Sequence, residues 1–129
     1  MPDQAVLDSS AVLALFFAEP GSQVTARLLN EPTLLGTVNL AETHAKLIER
    51  GRTPEDAWTA IISLGCEIVP LRESQARIAA ELIAITRSYG LSLGDRACLA
   101  LARERKAKVY TTDRNWKNLN LGIEIEVIR

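Results

Sequence analysis

Four acidic residues stand where the chain changes character. Asp8 closes the apolar stretch QAVL and opens SSAVLALFFA, and Glu42 ends TVNLAE. Asp95 lies in LSLGDRACLALA, and Asp113 follows KVYTT. Each has an ordinary explanation. Asp8 and Asp113 are favoured helix N-caps, and Asp95, three residues after Ser92, suits a capping box. Glu42, in a first helical turn, would complement the helix dipole. Capping and function are compatible, because a carboxylate fixed by backbone N–H groups stays ionised and aimed. Carboxylates gathered in one cleft repel unless some protonate, cations such as Arg96 and Arg114 pair with them, or a divalent ion joins them. Oxygen donors without His or Cys favour Mg²⁺ or Mn²⁺.

The elements that must position these acids follow from local pattern. Ala5 to Leu7 reads as a strand, followed by a helix that Pro20-Gly21 stops, and Ser22 to Asn30 as a second short helix. The β-branched and apolar run Thr33 to Val38 predicts a second strand. Leu40 to Arg50 is helical with Leu40, Leu47 and Ile48 on one face, and Thr53-Pro54-Glu55-Asp56 opens a helix to about Leu64. Glu67 to Val69 is a strand, and Glu73 to Tyr89 a long helix with Ile78, Leu82 and Ile85 along its stripe. Gly94 to Arg105 is helical, Lys108 to Tyr110 a strand, Asp113 to Leu119 a short helix and Ile123 to Val127 the last strand. Alternating helices and short strands predict an α/β sandwich on a mostly parallel sheet.

In such a sheet the segments leaving the carboxyl ends of the strands meet along one edge, where ligands bind. Asp8 follows the first strand, Glu42 begins the helix after the second, and Asp113 follows the fourth. Asp95 opens a helix running back toward the start of the fourth strand, so it belongs to the same rim.

A chain of 129 residues, 47% apolar, suits one packed domain spanning 1–129, with no repeat, low-complexity tract or linker. The apolar runs are short of a membrane span, and no secretory signal is visible, which points to the cytoplasm. Cys66 and Cys98 lack metal-binding spacing and read as buried reduced thiols. A net charge of −1 provides no global field for nucleic acid, so contact with a polyanion must be local. No nucleophile elbow accompanies His44, the only histidine, which reads as a surface or interface residue. No phosphate-binding G-x-x-x-x-G-K motif is present.

The spans VLDSSAVLALFFAEPG, TVNLAE, LSLGDRACLALARERKAKVYTTDRNW and IEIEVI resemble PIN-domain ribonucleases, most closely the VapC-type toxins of bacterial toxin–antitoxin pairs. The likeness runs along essentially the whole chain. It implies a three-layer α/β/α sandwich around a parallel five-stranded sheet. It also implies that the family's four acids fall on Asp8, Glu42, Asp95 and Asp113, with supporting hydroxyls at Ser10 and Thr111. A cognate antitoxin and a homodimer follow from the resemblance as well.

On that basis the expected chemistry is metal-assisted hydrolysis of RNA. A dication depresses the pKa of bound water and neutralises phosphate oxygens. Asp8 and Asp95 are expected to touch the metal, with Asp113 beside them. Glu42 and Asp113 would complete the shell or assist proton transfer. Arg96, Arg114 and Lys117 are the expected RNA contacts, whereas Arg103, Arg105, Lys106 and Lys108 read as a solvated helix face. Trp116, Trp58 and the Phe16-Phe17 pair read as core or interface. The alternative is a PIN-like module that binds RNA or protein without turnover.

Overall fold

The computed structural model describes residues 4–129. Runs of three or four residues between polar turns form the strands β1 (Ala5–Leu7), β2 (Thr33–Gly36), β3 (Glu67–Val69), β4 (Lys108–Thr111) and β5 (Ile125–Val127). They make a five-stranded sheet in the order β3-β2-β1-β4-β5, every neighbouring pair parallel. β1 is central and fully buried. Because strand side chains alternate, Val6 and Leu34 enter one core with Leu82, Leu99, Val109 and Trp116. Leu7 and Leu35 enter a second core with Val12, Leu40, Leu47 and Ile61. Helices α5 (Glu73–Glu81) and α7 (Leu93–Arg105) cover the first face, and α1 (Ser9–Phe16), α3 (Thr37–Glu49) and α4 (Pro54–Ile62) the second. The result is the expected three-layer α/β/α sandwich.

Two further helices are short, α2 (Ser22–Leu28) and α6 (Ile83–Thr86). Among the described residues no helix is long and apolar enough to cross a membrane.

Several boundaries differ from the sequence expectation. The second strand stops at Gly36, and Thr37 and Val38 begin α3 instead. Their β-branching favours a strand, but Thr37 Oγ1 accepts the Leu71 N–H at 3.0 Å, which binds the start of α3 to the loop after β3. Glu42 consequently sits in the second turn of its helix. The predicted helix Glu73 to Tyr89 breaks at Leu82 and ends as a 3₁₀ turn, Arg87–Tyr89. Thr86 is buried and its Oγ1 donates to the Leu82 carbonyl at 2.8 Å, a back-bond that bends helices. Ile85 therefore leaves the stripe and is exposed. Ile48 likewise lies outside the core, at the flank of the face carrying Leu40 and Leu47. The last strand is shorter than predicted and begins at Ile125.

Candidate active site

The central strand ends at Leu7, so Asp8 emerges between β1 and β4, where the strand order turns back on itself. Ligands of open parallel sheets bind at such a point. Asp8 occupies the N-cap position of α1 but caps nothing with its side chain. Its Oδ2 accepts Ser10 Oγ at 2.6 Å and Thr111 Oγ1 at 2.9 Å. Thr111 ends β4, and its hydroxyl also accepts the Asp113 N–H at 3.1 Å. Ser10 Oγ accepts the Thr112 N–H at 3.0 Å. These bonds join the end of the first strand to the end of the fourth.

Asp8 is only 3% exposed, and its Oδ1 is buried with no hydrogen-bond partner among the described residues. Burial pushes its carboxyl up to about 6; the charges of Asp95 and Glu42 add to the rise, and the hydroxyls of Ser10 and Thr111 oppose it. Cys98, on the buried side of α7, also senses this negative charge. Burial raises its thiol well above the usual range, and Asp8, Asp95 and Glu42 raise it further.

Glu42 reaches the site from α3. Its Oε1 accepts Ser9 Oγ at 3.1 Å and Asn39 Nδ2 at 3.0 Å. Asp95 forms the expected capping box: Ser92 Oγ accepts the Asp95 N–H at 3.1 Å, and Asp95 Oδ2 accepts the Ser92 N–H at 2.9 Å. Asp113 caps the 3₁₀ turn Arg114–Asn118, its Oδ1 accepting the Asn115 N–H at 2.9 Å. A common pattern emerges. In each acid one oxygen takes the bonds that fix the side chain, and the other has no protein partner among the described residues.

An all-oxygen set around a buried, unpartnered Asp8 Oδ1 fits a hard dication, and Mg²⁺ in particular keeps several waters and takes only one or two carboxylates. Among the described residues no three Asp, Glu, His or Cys side chains are grouped closely enough to hold an ion by themselves. Asp8, Asp95 and Asp113 therefore do not form a closed cage. Two of the three, Asp95 and Asp113, bond through capping to backbone N–H groups of their own turns.

The basic residues divide. Arg114 and Lys117 are exposed beside Asp113. A cleft of about 550 Å³ is lined by Thr112, Asp113, Arg114, Asn115 and Arg129. Arg129 was not legible as a site residue, because only the pairing of β5 with β4 brings the end of the chain here. On the other side of Thr112 a groove of about 150 Å³ runs past Ser10 and Phe17 to Lys46 and Arg50. Arg96, expected to contact RNA, instead turns toward α5, where its Nη1 donates to the Ala79 carbonyl at 2.8 Å. It braces α7 on α5. The second basic group lies at the opposite edge of the sheet and is largely engaged: Arg105 with Glu67, Lys108 with Glu124 and Glu126, Arg103 with the Leu121 carbonyl.

Ser9 and Asn39 were also missed. Asn39 precedes Glu42 by three residues, a helical spacing that places the two side chains together once α3 is known to begin at Thr37. Trp116 is fully buried, as expected. His44 packs edge-on against Trp58 and contacts the Pro54 carbonyl, away from the acids.

Residues 5–121 match the PIN domain family. The chain is a PIN-domain protein. The matched span holds all four acids. This PIN domain is similar to VapC20 of Mycobacterium tuberculosis, a sarcin-ricin loop cleaving toxin, with TM-score 0.73, 16% identity, and 93% of this chain and 98% of that chain covered. It is similar to a chain of DNA-bound VapBC from Salmonella typhimurium, with TM-score 0.73, 18% identity and coverage of 97% and 98%. A chain of VapBC2 from Rickettsia felis, bound to a promoter DNA fragment, gives TM-score 0.72 at 18% identity, covering 95% and 97%. No curated protein matches the sequence. At these identities the likeness carries the PIN fold alone.

Proposed function

We propose that this PIN-domain protein is a metal-dependent endoribonuclease toxin of the cytoplasm, held inactive by a cognate antitoxin. One observation carries the reading. Four carboxylates from separate elements are each pinned through one oxygen and leave the other without a hydrogen-bond partner among the described residues, and one of these, Asp8 Oδ1, is buried. Leaving a buried carboxylate oxygen unmatched is costly, and a bound cation offsets that cost without protonating the acid. Asp8, Asp95 and Asp113 would hold Mg²⁺ or Mn²⁺, directly or through water, with Glu42 completing the set. When bound, the ion lowers the pKa of its water and neutralises phosphate charge. Ser10 and Thr111 hold Asp8, Ser9 and Asn39 hold Glu42, and Glu42 would accept a proton from the attacking water. Arg114, Lys117 and Arg129 would bind backbone phosphates of the RNA.

The solved relatives include a toxin that cleaves the sarcin-ricin loop and several toxin–antitoxin complexes, which supports RNA as substrate and an antitoxin as partner. Exposed Ile48, Trp58 and Ile62 on α3 and α4 offer an apolar face for a homodimer, checked by sedimentation of Trp58→Glu.

Asp95→Asn tests the activity. Asparagine Oδ1 still accepts the Ser92 N–H, so the fold is expected to persist while metal-dependent RNA cleavage falls at least about 100-fold. Undiminished cleavage would overturn the assignment. The lack of a closed cage favours a second reading, a PIN-like module that binds without turnover. A thermal shift with Mn²⁺ that is lost in Asp8→Ala supports the enzyme; no shift in the unaltered protein favours the module.

A further inference from the structure

Gly94, in the first turn of α7, is buried, and its Cα lies against the Glu42 carboxylate. A Cβ built there would stand 2.5 Å from Glu42 Cδ, closer than real side chains approach. The helical backbone at this position suits alanine as well as glycine, so no conformational demand explains the glycine. The demand is space. Asn39 completes the arrangement: its Nδ2 donates to Glu42 Oε1 at 3.0 Å and to the Gly94 carbonyl at 3.2 Å. Both partners only accept, so the amide orientation is set, and Asn39 Oδ1 is left buried without a partner. A fully buried side chain that leaves its own oxygen unmatched to hold two others marks a site where function overrides local stability.

We infer that Gly94 and Asn39 are positioning residues that seat the Glu42 carboxylate beside Asp95, Gly94 by providing the space and Asn39 by tying it to the backbone of α7. The inference rests on the nuclease reading for its functional meaning, but the seat itself exists without metal. The neighbour that a Cβ would displace is the end of a flexible side chain, so the helix accommodates alanine while Glu42 leaves its place. Gly94→Ala is therefore expected to fold with Tm little changed, the helix preference of alanine offsetting the lost Glu42 bonds.

The test is a cycle of Gly94→Ala, Glu42→Asp and the double variant. Aspartate is one methylene shorter and clears the added Cβ. The side-chain amide signals of Asn39, followed by NMR in metal-free protein, are expected to move in Gly94→Ala as the bond to Glu42 is lost. Mn²⁺ is expected to bind at least about tenfold more weakly in that variant. In the double variant binding is expected to be several-fold tighter than the product of the single effects. Unmoved Asn39 signals, or independent effects in the cycle, would overturn the inference. If the unaltered protein binds no Mn²⁺, the nuclease reading fails, and the Asn39 signals still decide the seat.

Discussion

Thr111 Oγ1 donates to Asp8 Oδ2 at 2.9 Å, joining the ends of two neighbouring parallel strands that are 103 residues apart in the chain. The same oxygen accepts the Asp113 N–H, so one hydroxyl sets both the acid after β1 and the one after β4.

Thr111→Val keeps the shape and removes both bonds. Stability is expected to fall by about 1–2 kcal/mol, as for a buried acceptor losing its donor. Mn²⁺ affinity and RNA cleavage are expected to fall about 10–100-fold, as when a group orienting a ligand is lost. Denaturant midpoints, Mn²⁺ titration and cleavage rates measure the three. Ser10→Ala also removes two bonds, the one to Asp8 Oδ2 and the one from the Thr112 N–H, and is expected to have an effect of similar size.

Asp8 makes the metal-free protein sensitive to pH. Its carboxyl is raised from 3.8 to about 6, so the folded state prefers the protonated form. The stabilisation is fully present below about pH 4 and is lost as pH rises through about 6, amounting to about 3 kcal/mol for this group. Asp8→Asn is expected to remove this component, so the difference in unfolding free energy between variant and parent grows in the variant's favour from acid to neutral pH. Mn²⁺ competes with the proton, so its affinity is expected to climb with pH up to about 6 and then level. A difference that stays constant across this range would contradict the assignment.

The arginines separate phosphate binding from packing. Arg114→Gln and Arg129→Gln, both lining the cleft at Asp113, are expected to weaken RNA binding and each reduce the slope of log affinity against log salt by about 0.7. Arg96→Met, which frees the Ala79 carbonyl, is expected to lower Tm and leave that slope alone. Binding titrations at several salt concentrations distinguish the two classes.

How far the sequence reveals this structure depends on how local each cause is. The capping box of Ser92 and Asp95 and the cap at Asp113 involve neighbours in the chain, and both stand where expected. The acids share an edge because parallel α/β topology sends Asp8 and Asp113 off adjacent strands. Boundaries set by tertiary contacts were not legible. Thr37 enters a helix because Leu71 donates to it, and Ile85 leaves its stripe because Thr86 bonds back to Leu82. Arg96 and Arg114 each follow an acid directly, yet one is half-buried and bonded to α5 and the other is exposed. Only the packing of α7 on α5 separates them.

Cys98 turns this architecture into a natural probe. A thiol sealed beneath three carboxylates holds its proton, and alkylating reagents react with the thiolate. Modification of Cys98 therefore waits for α7 to part from the sheet, whereas Cys66, only partly buried, is the more accessible of the two. The ratio of the two labelling rates is a clock for how often α7 lifts from the sheet, needing neither substrate nor an introduced dye.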